Sequence, residues 1–147
     1  MTPNSELLKS ALGALPHGES FRFVDQLVSL IPGKEGVGEY LVRSDEPFLQ
    51  AHFPGNPMLP GVLLVEAAAQ LAGIVAQNDP LIPPVANLRL SALRMVRIHG
   101  TARPGQVLRI EAQVVGRLGL MIQANARAFV EGMLILEAQL TLGGRAD

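Results

Sequence analysis

QAHFPGNPMLPGVLLVEAAAQ, residues 50–70, holds two segments of opposite character side by side. Its first part places Pro54, Gly55, Pro57, Pro60 and Gly61 within a few residues. Proline lacks a backbone donor and fixes φ, so Ala51 to Gly61 is predicted to be a stiff, irregular loop, excluded from helix and from any central strand. A helix must begin after it. From Val62 to about Gln77 the sequence VLLVEAAAQLAGIVAQ is almost all Leu, Val, Ile and Ala. A helix that is apolar on most sides is one enclosed by the rest of its fold. Asn78-Asp79-Pro80 stops it, and Pro83-Pro84 marks the next connection.

Upstream, Leu7, Leu8, Ala11, Leu12 and Leu15 recur at helical spacing after a capping candidate, Ser5. They predict a short amphipathic helix from Ser5 to Leu15 that Pro16 ends. Phe21 to Leu30 reads as extended, Ile31-Pro32-Gly33-Lys34 as a turn, and Gly36 to Arg43 as the returning strand of a hairpin. Downstream, Val85 to Leu93, Arg94 to His99, Val107 to Val115, Leu120 to Val130 and Met133 to Leu142 are strand-like. They are separated at Arg103 to Gln106, at Gly116 to Gly119 and at Glu131-Gly132, the last suited to a tight two-residue hairpin turn. The expected architecture is α+β: one domain over residues 1–147, with an antiparallel sheet wrapped around one long central helix. Two such sheets can pair edge to edge and cover the apolar surface that remains.

Composition points the same way. With 48% hydrophobic and 17% charged residues and a mean hydropathy of +0.29, the chain is apolar for its 147 residues. Surface buried against another subunit accounts for this, and the alternative is a monomer with a large core. A net charge of −1 gives no electrostatic footprint for nucleic acid or an anionic membrane. The absence of cysteine excludes disulfides, thiolate metal sites and a cysteine nucleophile. The N-terminal run MTPNSELLKSALGAL lacks the basic then apolar pattern of a secretory signal, and no stretch reaches the roughly 20 apolar residues of a membrane-spanning helix. A soluble, cytoplasmic protein is expected.

The segment His52-Phe53-Pro54-Gly55, followed by Pro60-Gly61 and an apolar helix bearing the single carboxylate Glu66, resembles the hot-dog-fold 3-hydroxyacyl-acyl-carrier-protein dehydratases. Leu15-Pro16-His17, Phe23-Val24-Asp25, Asp45-Glu46-Pro47-Phe48 and Arg103-Pro104-Gly105-Gln106 echo the same family in the same order. The resemblance implies a hot-dog fold and dehydration of a 3-hydroxyacyl thioester in fatty acid biosynthesis. It makes His52 the catalytic base, Glu66 the acid and the Gly61 backbone N–H the donor to the thioester carbonyl. It further implies that His52 and Glu66 meet between two subunits, in a homo-oligomer that is a dimer or a trimer of dimers. Acyl carrier protein is the implied partner, no cofactor or metal is implied, and Glu rather than Asp on the helix favours dehydration without isomerisation.

The chemistry fits these residue types. Removing water needs a base for a weakly acidic C2 proton, an acid for a poor leaving group and donors for a developing enolate oxygen. An imidazole serves near neutral pH, and apolar surroundings favour the protonated form of a carboxyl group. A glycine at the start of a helix offers an N–H with no intrahelical partner and no side chain in the way. A lone histidine in a loop is more often a surface residue, but the neighbours of His52 argue otherwise. Val62 to Val65 and Ala67 to Ala69 leave Glu66 almost no polar face, so solvation alone does not explain it. Gln70, one turn beyond, either orients Glu66 or a water, or makes a helix contact.

His17 is expected to be structural, because Gly18-Glu19-Ser20 follow where the family has Arg and an aromatic residue. His99-Gly100-Thr101 also departs from the family pattern. Arg89, Arg94, Arg97 and Arg103 can meet an acidic carrier or simply form a solvated strand face. Two further functions compete: a non-catalytic acyl-binding subunit that kept the fold, and a hot-dog acyl thioesterase using the helix carboxylate.

Overall fold

A computed structural model of the protein describes residues 3–52 and 54–144, so Phe53 of the loop motif lies outside the described residues. The elements are helix α1 (Pro3–Gly13), a 3-10 turn (Glu19–Phe21), strands β1 (Gln26–Ile31) and β2 (Glu35–Leu41), helices α2 (Pro47–His52) and α3 (Gly61–Gln77), and strands β3 (Arg89–Ile98), β4 (Val107–Leu118), β5 (Met121–Val130) and β6 (Met133–Gly143). The six strands form one antiparallel sheet in the order β1-β2-β4-β5-β6-β3. Helix α3 lies across it and touches β2 through β6, as the expected hot-dog architecture requires.

Close approach is possible because both surfaces are small. The helix contributes Ala67, Ala68, Ala69, Ala72 and Ala76, and β4 to β6 contribute Ala112, Ala124, Ala126, Ala128 and Ala138, all buried. Larger side chains, Leu64, Leu71, Ile110, Ile122 and Leu136, fill the space around them. The alternation on β5, exposed then buried along ten residues, is that of a strand with one face on the core.

Three adjacent carbonyls near the C-terminus of α3, which have no acceptor role left within the helix, find donors elsewhere. Asn78 Nδ2 donates to Ile74 O at 2.6 Å, the Gly33 N–H to Val75 O at 2.8 Å, and Arg117 Nη2 to Ala76 O at 2.7 Å. The Gln77 amide bonds both backbone groups of Val85, at 2.7 and 2.9 Å, and so anchors the connection to β3. The N-terminus of α3 has no such seal. Pro60 precedes it without a side-chain cap.

Several elements differ from expectation. The irregular loop starts later, because Ala51 and His52 complete α2, and α3 begins one residue earlier, at Gly61. The two strands expected between Val85 and His99 are one, Arg89–Ile98, joined through an irregularity at Arg94 to Arg97 where Met95 adopts a φ of 52°. A bulge lets the strand change direction without ending, which periodicity alone does not reveal. β4 runs on through Gly116 and Arg117, leaving Gly119 and Leu120 as the turn. Only the last part of Phe21 to Leu30 is strand. Glu131-Gly132 is the tight turn anticipated, with φ of 52° and 79°.

Tyr40 on β2 is buried at 1% exposure, edge-on to Phe23, with the Arg43 guanidinium 5.6 Å from its ring centre and that guanidinium paired to Asp25 at 3.0 Å. Burial, reinforced by the charge of Glu46, pushes the phenol up to about 12 from its ordinary 10.0. The fold therefore favours the neutral phenol. Its stability contribution is complete below pH 10 and is lost as pH rises toward 12. At about 1.4 kcal/mol per pH unit, the loss is roughly 3 kcal/mol. Denaturant titrations should show that alkaline limb in the wild type and a flatter one in Tyr40→Phe.

Candidate active site

The site is assembled at the open end of α3. His52, the last residue of α2, turns Nδ1 toward Met58 O at 3.3 Å, so the loop folds back on the helix that precedes it. That loop is held from outside by the β3–β4 connection. The Leu59 N–H donates to Ala102 O at 2.8 Å, and Arg103 Nη1 donates to Asn56 Oδ1 at 2.7 Å and to Pro57 O at 3.4 Å. Arg103 thus fixes the loop that bears His52. Arg89, Arg94 and Arg97 instead line the exposed edge strand β3.

Gly61 opens α3. The Leu63 and Leu64 N–H groups reach Pro60 O at 2.8 and 3.3 Å, while the Gly61 N–H lies ahead of any helical acceptor. A Cβ at Gly61 would stand 2.9 Å from Ile98 Cδ1, so the missing side chain lets β3 pack directly against the helix start.

Glu66 lies one and a half turns further in, with about a quarter of its side chain exposed (24%). Gln70, 2% exposed, sits one turn below it. Gln70 Oε1 accepts the Phe23 N–H at 2.8 Å, and Nε2 donates to Phe21 O at 2.8 Å and to Glu66 Oε2 at 3.0 Å. Both amide protons are thereby used, and the amide has one possible orientation. Gln70 thus touches Glu66 and also binds the backbone of Phe21 and Phe23 to the helix.

His17 Nε2 is 3.4 Å from Glu66 Oε2. Nothing in the sequence pattern singled out that proximity, because 49 positions separate the two residues and only the return of the chain over α3 joins them. His99 lies elsewhere, its Nε2 3.0 Å from Glu137 Oε2 on β6. Among the described residues, the chain does not bring His52 into hydrogen-bond contact with Glu66, whose partners are Gln70 and His17. No cluster of three or more metal-ligating side chains occurs among them either, nor a helix long and apolar enough to cross a membrane.

Residues 15–139 match the FabA-like domain. The chain belongs to the FabA-like family. This FabA-like chain is 42% identical over 130 residues to a 3-hydroxyacyl-[acyl-carrier-protein] dehydratase FabZ of Geotalea uraniireducens, covering 86% of this chain and 88% of that one. It is 37% identical to the protein of the same name in Caldicellulosiruptor saccharolyticus, with 89% and 93% covered. Among solved structures, the dehydratase heterocomplex ApeI:P of Xenorhabdus doucetiae superimposes with a TM-score of 0.78 at 18% identity, covering 95% of this chain and 92% of that one. Zebrafish thioesterase superfamily member 2 superimposes at 0.69 with 15% identity, covering 96% and 95%, a likeness of fold alone.

Replacing Gln70 by Leu in this FabA-like chain would strand the buried Phe23 N–H and the Phe21 carbonyl. An unmet buried donor costs about 1–3 kcal/mol, so Gln70→Leu should lower unfolding stability by roughly 2 kcal/mol or more in chemical denaturation. An unchanged midpoint would show that these bonds are replaceable.

Proposed function

We propose that this chain is a 3-hydroxyacyl-[acyl-carrier-protein] dehydratase of fatty acid biosynthesis, a cytoplasmic hydro-lyase in which His52 is the base and Glu66 the acid. The observation that carries the reading is the identity of 37–42% over most of the chain to proteins of that name, in a fold where the loop after His52 leads into the enclosed helix bearing Glu66. His52 takes the C2 proton, electrons from the C2–H bond form the C2–C3 double bond, and the C3 hydroxyl leaves as water with the proton of Glu66. Negative charge developing on the thioester oxygen meets the Gly61 N–H at the open end of α3. The acyl thioester arrives on acyl carrier protein.

A second copy of the chain completes the site. Strand β3 is a sheet edge carrying exposed Leu93, Met95, Val96 and Ile98, the last of them beside Gly61. Such an apolar edge is a template for strand pairing and a liability when uncovered. Pairing there sets His52 of one copy near Glu66 of the other. The assembly is a homodimer, alone or as the unit of a trimer of dimers.

Mass spectrometry of a 3-hydroxyacyl carrier protein incubated with the enzyme tests the reaction. Loss of one water is expected; release of the free acid would indicate a thioesterase, and no change an acyl-binding subunit. Glu66→Gln and His52→Ala should each lower turnover on the order of a hundredfold or more with little effect on folding. When the two inactive variants are mixed and their subunits exchange, mixed dimers regain one intact pair. Verified exchange with no recovery would reject the shared site.

A further inference from the structure

We infer that His17 is a positioning residue for Glu66: together with Gln70 it clamps Oε2 of the carboxyl group and leaves Oε1 as the oxygen that carries the transferable proton. This rests on the role of Glu66 as acid. A carboxylic acid has one oxygen bearing hydrogen and one that only accepts. Gln70 cannot turn its amide over, since Oε1 is committed to the Phe23 N–H and one Nε2 proton to Phe21 O. The other Nε2 proton must point at Glu66 Oε2, 3.0 Å away, and makes that oxygen the acceptor. Oε1 receives no hydrogen bond from the described residues.

His17 stands beside the same oxygen. Its Nδ1 is buried and meets no polar atom, whereas Nε2 lies 3.4 Å from Glu66 Oε2. Of the two neutral tautomers, one with the proton on Nδ1 would bury an N–H without an acceptor and turn a lone pair toward the carboxyl oxygen. The other leaves only an unused lone pair at Nδ1 and places Nε2–H beside Oε2, at ion-pair distance. Buried N–H groups without acceptors are the rarer and costlier defect, so the geometry selects Nε2–H. Phe21 holds the ring and Arg22 the backbone. Phe21 stacks on the ring at 6.1 Å between centroids, and Arg22 Nε donates to His17 O at 2.6 Å while its Nη2 binds Leu15 O. The guanidinium of Arg22 is thereby spent on backbone carbonyls, and it is His17 and Gln70 that meet Glu66.

A longer contact than that of Gln70 makes His17 the weaker of the two donors, consistent with tuning of the acid rather than proton transfer to substrate. His17→Phe, which keeps a flat ring and removes the donor, should lower kcat about tenfold and leave KM within about twofold. His17→Gln, which returns an N–H donor of similar reach, should recover most of that loss. Full turnover in His17→Phe would overturn the proposal. So would equal losses in both variants accompanied by equal falls in melting temperature, the mark of a merely structural residue. Histidine 15N resonances of the unmodified protein give a readout independent of turnover, and of any failure of the variants to fold. The proposal expects an Nε2–H signature for His17 that shifts in Glu66→Gln, and an Nδ1–H signature overturns it. If the unmodified protein fails to dehydrate its substrate, the reading of Glu66 fails while the tautomer result still stands or falls by itself.

Discussion

Enclosure of α3 by the sheet is the constraint on which the rest of the molecule depends. A helix with eleven buried residues in seventeen admits few polar groups, and each one it carries must be matched. Its polar side chains are Glu66, Gln70 and Gln77. Gln77 is consumed by Val85, and Gln70 by Phe21 and Phe23, so both serve to bind chain segments onto the helix. Glu66 keeps one oxygen, Oε1, that no described residue hydrogen-bonds. In the proposed reaction that carboxyl group is the acid, held by packing that would otherwise exclude it.

The two ends of α3 are treated differently, and the difference locates the site. At the C-terminal end three carbonyls are closed by Asn78, Gly33 and Arg117, which brings the β1–β2 turn and β4 onto the helix. At the N-terminal end, Pro60 supplies no side-chain cap and Gly61 no side chain, so the first N–H groups remain available to an oxygen arriving from outside. The loop with His52 reaches this end because Arg103 and Ala102 hold it there across the sheet. Both the prolines of the loop and its contacts with the β3–β4 connection restrain it.

Elements with a strong single period were legible in the sequence. The apolar run of α3, the alternation of β4 to β6 and the Glu131-Gly132 turn all lie within a residue or two of their expected places, apart from the added turn of β4 beyond Val115. β3 was less so, since a bulge with positive φ at Met95 broke the pattern and made one strand read as two. α2 was hidden because the prolines after it dominate the local signal, although Pro47 is well suited to a first helical turn.

What the sequence determined by itself is a buried helix with one carboxylate, a proline-stiffened loop with one histidine, and strands enough to enclose them, because these depend on composition and spacing along a few turns of chain. Tertiary structure decided which groups meet. The orientation of the Gln70 amide is set by backbone groups of Phe21 and Phe23 nearly fifty residues away, the loop after His52 is held by Arg103, and His17 reaches Glu66 on a segment that Gln70 ties to α3 and Arg22 braces. Such contacts leave no periodic trace, since a hydrogen bond needs only two correctly placed atoms and the fold, rather than local sequence, places them.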